Sequence, residues 1–219
     1  HGISNGIVTW APKRVDLFAL PDAYNPEPMP WEKSLAVHES RHLAQMQFGY
    51  KGWLKPLTWI LGDMAVGAYS ALWPSPWLLE GDAVTAETAL TRYGRGRSAD
   101  FLNYYYMMAF DEGDMRNWYK WRYGSYRFYA PDHYALGYMT VAGVRYFYGE
   151  PLFTDKYFER ISRNPFRFFN TQKTVRQITG LRFKDSWNRI TDGFHEMWQQ
   201  EAELRKPFTQ SEQIQDEGK

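Results

Sequence analysis

The pattern His38-Glu39-Ser40-Arg41-His42 constrains this chain more than any other stretch, because its chemistry requires residues four apart to share one face of a helix. Two neutral imidazoles suit Zn²⁺, which in catalytic sites takes three protein ligands and keeps one position for water. The metal lowers the pKa of that water, and Glu39 can take its proton. The pattern therefore predicts a helix that serves metal-assisted hydrolysis. The alternative is a helix that carries two histidines and a solvated glutamate by chance.

A third ligand decides between these interpretations, since two histidines leave a zinc site incomplete. Glu80 is the best candidate, because two prolines break the chain shortly before it and good helix formers follow it. Glu87 lies seven positions later, on the same helix face. One carboxylate can bind the metal while the other holds a ligand histidine. We therefore expect Glu80 to complete a zinc site with His38 and His42. The alternative is that Glu80 and Glu87 are both exposed acidic residues of a helix.

A rival third ligand lies between the two motifs. Asp63 stands 21 positions after His42, between a glycine and a methionine. An aspartate at this place could complete a site of the aspzincin type. The alternative is that Asp63 caps a helix that runs toward Tyr69.

Taken together, the motifs resemble those of the gluzincin metallopeptidases, the thermolysin and aminopeptidase N group. The resemblance is carried by the HExxH pattern at 38–42 and by Glu80-Gly-x-Ala-x-x-x-Glu87. The Tyr-x-x-Gly element at 134–137 is similar to that of the aminopeptidases. More narrowly, the residues at 80–84 and the Gly-Arg-Gly-Arg at 94–97 resemble exported bacterial gluzincin-like proteins in which this domain precedes a β-propeller.

The resemblance implies a zinc peptidase with a peptide or protein substrate, exported to the periplasm or cell surface, with a β-propeller elsewhere in the full-length protein. It implies that Glu39 is the general base and that the hydroxyl of Tyr134, or the neighbouring His133, donates to the oxyanion. One feature departs from the family pattern. Glu80 lies 38 positions after His42, whereas the better-known gluzincins have a gap of roughly twenty residues.

Composition agrees with one globular catalytic domain, which we expect at residues 1–208, followed by a polar tail at 209–219. The balance of 26 basic and 25 acidic residues argues against nucleic acid as a partner. The chain has no cysteine, so zinc must be bound through nitrogen and oxygen. Aromatic residues reach 18%, and we expect most of them to pack in the core, although some can line a groove.

The predicted fold is mainly α, a zincin-like helical metallopeptidase domain with a small N-terminal β element. β-branched and aromatic residues within 6–20 favour strands. The helix that carries the HExxH pattern is expected to begin at Trp31. Further helices are expected from Asp132 toward Gly149 and over 183–203.

The segment at 51–77 is strongly apolar, and glycines interrupt it. It is shorter than a transmembrane span needs and carries Asp63 near its middle, so no transmembrane span is predicted. We expect a buried helix or pair of helices here. Contact with a membrane surface is the alternative.

Polar residues near the motifs have two interpretations each. Arg41 and Gln45 follow His38 on the motif helix and are placed to bond a carboxylate or a substrate carbonyl. Arg95 and Arg97 can grip a substrate carboxylate or an acidic group beside the metal. The alternative interpretation is that all four are ordinary surface residues.

Two other functions remain open on the sequence. The domain can keep its metal but serve as a proteolytically inactive binding or assembly module of a larger exported protein. It can also hydrolyse bonds other than peptides, since zinc with a carboxylate base is not tied to amides.

Overall fold

The computed structural model describes residues 6–18, 30–112, 115–127, 129–207 and 209, which form a mainly helical structure with one small N-terminal sheet, as predicted. The elements of these residues are β1 Gly6–Trp10, β2 Lys13–Leu17, α1 Trp31–Met46, α2 Lys55–Leu61, α3 Asp63–Leu72, α4 Pro76–Leu90, α5 Ala99–Met107, α6 Trp118–Tyr123, α7 His133–Phe147, α8 Phe153–Arg163, α9 Asn170–Thr179 and α10 Phe183–Leu204. Positions 210–219 of the predicted tail lie outside the described residues.

Local signals explain where the helices that carry the motifs begin. Helix α1 begins at Trp31, as predicted, directly after a proline. Helix α4 has Pro76 at its first position, where the missing N–H costs nothing. Asp132 caps α7, because its carboxylate accepts hydrogen bonds from the backbone N–H groups of Tyr134 and Ala135. The last helix, α10, covers the predicted 183–203 and ends one residue beyond it.

Helices α4 and α7 form the centre of the structure and approach each other at two glycines. A Cβ atom at Gly81 would collide with the backbone of Gly137, and a Cβ at Gly137 would collide with the carbonyl oxygen of Trp77. Only glycine at these two positions allows the helices to come this close. Around this crossing, Leu78 and Leu136 are fully buried in a cluster of apolar residues that continues through α8 and α10.

The hairpin of β1 and β2 covers the outer side of α1. Its strands pair antiparallel, with Val8 opposite Val15. Trp10 at the end of β1 packs with Met46 of α1 and Val66 of α3 in a second, smaller apolar cluster. The hairpin thereby joins α1 to α3 and lies above the residues of the HExxH motif.

The segment at 51–77 differs from the prediction. Helix α2 has no buried residue, and Trp59, Ile60 and Leu61 are exposed. Helix α3 buries only Ala65, Val66 and Tyr69. A run that is apolar on every side predicts helices but does not indicate which side faces water, so the prediction of a buried pair was wrong for α2. Among the described residues, no helix combines the length and the apolar character needed to cross a membrane.

Candidate metal centre

Helices α1 and α4 bring His38, His42 and Glu80 together, as the motif spacing predicts. The Nε2 atoms of the two histidines lie 3.0 Å apart. Glu80 Oε2 lies 2.9 Å from His38 Nε2 and 3.4 Å from His42 Nε2. Within the described residues, these three side chains form the one group of histidines and acids whose ligand atoms all lie within 4.8 Å of one another.

His38 is held from its other side by Glu87, which is fully buried. The distance from His38 Nδ1 to Glu87 Oε1 is 2.5 Å. Arg95 donates to the same carboxylate through Nη2 at 2.6 Å and Nε at 3.0 Å. Glu87 therefore holds one nitrogen of His38, as was expected for one of the two carboxylates. Glu80 lies at the other nitrogen of the same ring. Arg95 contacts an acidic group beside the site, which was one of its two predicted partners.

His42 is held by Gln45, which is one turn further along α1. Gln45 Oε1 lies 2.8 Å from His42 Nδ1, and Gln45 Nε2 donates to the carbonyl oxygen of Leu79 and to Asp82 Oδ2. Because both donor positions of the amide are engaged by acceptors, its oxygen must face His42. The two histidines are thus oriented independently, one by a carboxylate and the other by an amide.

The orientation of the two rings suits a cation between them. A neutral imidazole carries one N–H, and here Glu87 and Gln45 place it on Nδ1 of His38 and of His42. The lone pairs of both Nε2 atoms then face each other and Glu80 Oε2, which is repulsive unless a proton or a metal ion lies among them. Their separations are close to the roughly 3.3 Å between ligand atoms of a tetrahedral zinc site. The residues therefore fit zinc.

The electrostatics of the group point the same way. Burial acts to lower the pKa of His38, but the hydrogen bonds to Glu80 and Glu87 outweigh it and raise the pKa to about 9. Burial acts to raise the pKa of Glu80 and Glu87, yet the hydrogen bonds from His38 hold both pKa values below their usual range. The cluster therefore stabilises positive charge at its centre.

Glu39 lies beside this group and is covered by strand β1. Its side chain is buried, and burial raises its pKa, although His42 and His38 partly offset this. A Cβ atom at Gly6 would lie only 2.7 Å from Glu39 Oε1, so the strand passes directly over the carboxylate. A glutamate with a raised pKa in a sheltered place is suited to accept and return a proton.

Tyr134 and His133 begin α7 on the other side of the group. The Tyr134 ring lies 6.2 Å from the His38 ring, and Arg95 lies 5.2 Å above the Tyr134 ring. Burial and a hydrogen bond to Glu80 raise the pKa of Tyr134 to about 12. His133 lies one ring further out, 4.7 Å from the Tyr134 ring, and lines a neighbouring cleft with Tyr129. Of the two predicted donors, Tyr134 is therefore the one beside the candidate metal ligands.

Asp63, the rival ligand, lies elsewhere. It stands in the first turn of α3, where its carboxylate accepts a hydrogen bond from the Tyr50 hydroxyl. Arg97, the second arginine of the Gly-Arg-Gly-Arg stretch, donates to the carbonyl oxygen of Thr88 and not to an acid.

No protein-family model, no curated protein sequence and no solved structure matches this chain. The resemblance to the gluzincins accordingly rests on the motif residues and on what they do in the structure.

Asp82 anchors the site, although its role was not predicted from the sequence. This fully buried carboxylate accepts from Arg41 at 2.7 Å and from Arg145 at 2.6 Å, as well as from Gln45. Thr154 donates to it at 3.0 Å. Arg41 and Gln45 thus bind a carboxylate, the first of their two predicted roles. The available signal was a charged residue within an apolar helix, which requires buried partners.

Proposed function

We propose that this chain is a zinc-dependent hydrolase of the peptidase type. The observation that carries the proposal is the convergence of His38, His42 and Glu80, with both histidines fixed at Nδ1 and with Glu39 next to them. A zinc ion in such a site supplies a Lewis acid and brings the pKa of water near neutrality. The choice of a peptide bond as substrate, the export of the protein and a β-propeller partner domain rest on the resemblance to the gluzincins.

In this proposal each side chain has one task. His38, His42 and Glu80 hold the ion. Glu39 takes the proton of the attacking water and passes it to the leaving amine, for which its raised pKa is suited. Tyr134 stays protonated across the neutral range because its pKa is about 12, so its hydroxyl is available to donate to the oxyanion.

A second function, a metal-binding module without hydrolytic activity, is favoured by one observation. Glu39 is 6% exposed, and β1 lies over its carboxylate at Gly6. A substrate that must reach Glu39 therefore requires the hairpin to shift. If the hairpin stays in place, the site can hold a metal ion but cannot hydrolyse a substrate.

Metal content and cleavage of a peptide library by purified protein separate these functions. We expect one zinc per chain, with Glu80→Ala lowering zinc affinity by more than about 100-fold and Asp63→Ala leaving it unchanged. Glu39→Gln should keep the metal and lower kcat by about 10²–10⁴, because it removes the proton acceptor but keeps the shape. The matched control is Glu32→Gln, an exposed change on the same helix.

Three results would contradict parts of the proposal. Zinc loss in Asp63→Ala but not in Glu80→Ala would overturn the ligand assignment. Activity that survives in Glu39→Gln would remove Glu39 from the chemistry. A zinc-loaded wild type that cleaves no member of the library would favour the binding module.

A further inference from the structure

Helices α2 and α3 expose large apolar side chains to water. Trp59 is 77% exposed and Ile60 is 81% exposed, and Leu61, Met64 and Leu72 are more than half exposed. Trp53, in the turn that leads into α2, is also exposed. We call these six residues the apolar face. Single exposed apolar residues are common on proteins, but six of them on two consecutive helices and the turn before them indicate a binding surface.

The pattern within α3 shows that this exposure is systematic. Its exposed positions are Met64, Ala68, Ala71 and Leu72, and each of them is apolar. These positions follow the spacing of one helix stripe. The side of a surface helix that faces water is normally polar. The apolar residues on the exposed side of α3 therefore suit contact with an apolar environment.

The apolar face continues onto the loop between α8 and α9. The Trp53 ring packs edge-on against the Phe166 ring at 5.7 Å. Phe166, Phe168 and Phe169 are all exposed, and with Leu72 they line an open cleft of about 760 Å³. The loop and the two helices therefore form one surface.

The charges around the apolar face indicate its partner. Lys51 and Lys55 are exposed beside it, and Arg167 lies among the phenylalanines of the loop. Asp63 is the only acid in residues 51–72, and the Tyr50 hydroxyl bonds its carboxylate. Protein interfaces are depleted in lysine, whereas surfaces that bind bilayers combine tryptophan with flanking lysine and arginine.

The size of the helices defines how such a surface can meet a bilayer. Helices of 7 and 10 residues are about 10 and 15 Å long, far below the roughly 30 Å of a hydrocarbon core. They can insert side chains at the headgroup level while the helices stay at the surface. The lysines then face the headgroups, which favours anionic lipid.

We propose that the apolar face of α2 and α3 docks this protein on an anionic membrane surface. The tryptophan, isoleucine and leucine side chains enter the interface, and Lys51 and Lys55 contact the lipid headgroups. This proposal is independent of the metal centre and of any hydrolytic activity, so either proposal can fail without the other.

Vesicle sedimentation with the full chain tests the proposal. The wild type should bind vesicles of equal parts phosphatidylcholine and phosphatidylglycerol and bind pure phosphatidylcholine at least about 25-fold more weakly, because each of the two lysines contributes about fivefold. The double variant Trp59→Ser/Ile60→Ser should bind at least about tenfold more weakly, because two large apolar side chains are lost from the contact. Lys51→Gln and Lys55→Gln should each weaken binding by about fivefold. Leu204→Ser and Lys206→Gln, exposed changes at the end of α10 and just beyond it, are the controls.

The absence of cysteine provides a second measurement that does not depend on weakened variants. An environment-sensitive fluorophore attached through Ile60→Cys should brighten and shift to the blue when anionic vesicles are added. The same label attached through Leu204→Cys should not respond.

Three results would overturn the proposal. The first is a wild type that does not bind anionic vesicles. The second is binding that is unchanged in Trp59→Ser/Ile60→Ser, with equal response of the two labels. The third is self-association of the wild type without lipid that the double variant abolishes while no vesicle binding is seen, since the face would then belong to a second copy of the chain.

Discussion

Helix α1 buries Ser34, His38, Glu39 and Gln45, whereas the nearby α2 and α3 leave tryptophan, isoleucine and leucine side chains in water. The usual distribution is reversed in both regions. In α1, the buried His38 and Gln45 both have hydrogen-bond partners from α4, so their burial is compatible with a stable fold. In α2 and α3 the apolar groups have no such partner within the described chain. One region therefore has its partners within the fold, whereas the exposed apolar side chains of the other have none among the described residues.

The largest expected contrast is between two tryptophans. Trp77 is buried at the start of α4, with its ring 4.8 Å from that of Trp118, whereas Trp59 is exposed on α2. Trp77→Ala should lower the free energy of unfolding by about 3–5 kcal/mol. Trp59→Ala should change it by less than about 0.5 kcal/mol. Urea unfolding with zinc chelated measures both; a large loss in Trp59→Ala would show that α2 contributes to the core after all.

The next contrast is between two aspartates. Asp82→Ala leaves Arg41 and Arg145 without their shared anion, and we expect a loss of about 3 kcal/mol, at the low end for a broken buried pair because both arginines are partly exposed. Asp63→Ala removes one hydrogen bond from Tyr50 and should cost about 1 kcal/mol. The same unfolding experiment applies. Equal losses would mean that the Asp82 network does not anchor the centre.

A third contrast, with a smaller maximum loss, is between two glycines inside helices. Gly81→Ala forces α4 away from α7 and should cost about 2 kcal/mol. Gly67 in α3 has room, since a Cβ there would lie 3.8 Å from its nearest neighbour in Trp10. Gly67→Ala should therefore raise the free energy of unfolding by about 0.5–1 kcal/mol, because alanine favours the helix. Thermal unfolding should show opposite shifts, and shifts of the same sign would contradict the packing described for α4 and α7.

Features that depend on neighbouring residues could be predicted from the sequence. The start of α7 follows from the Asp132 cap, and the approach of His38 to His42 follows from one helical turn. The presence of Glu80 and Glu87 on one face of α4 follows from the seven-residue spacing, whereas their contact with both nitrogens of His38 does not. These features need little information beyond a few adjacent positions.

Features that depend on distant residues could not be predicted. Arg145 and Thr154 reach Asp82 from 63 and 72 positions away, and their sequence surroundings do not reveal this contact. The cover of Glu39 by Gly6 depends on how the hairpin packs on α1. The exposure of α2 could not be derived from its composition, because burial of an apolar helix depends on whether another element is available to cover it.

The charges of the candidate metal centre favour a bound cation of one particular charge. When Glu39 is ionised, Glu39, Glu80 and Glu87 together carry three negative charges, and Arg95 offsets one of them. The neighbouring network of Asp82 and Asp155 with Arg41 and Arg145 is neutral by itself, so it leaves this imbalance untouched. A dication makes the enclosed group electrically neutral, whereas a monovalent or trivalent ion leaves unbalanced charge in a medium that solvates it poorly. If the site binds a metal, we therefore expect selection among cations by total charge alongside selection by ligand type.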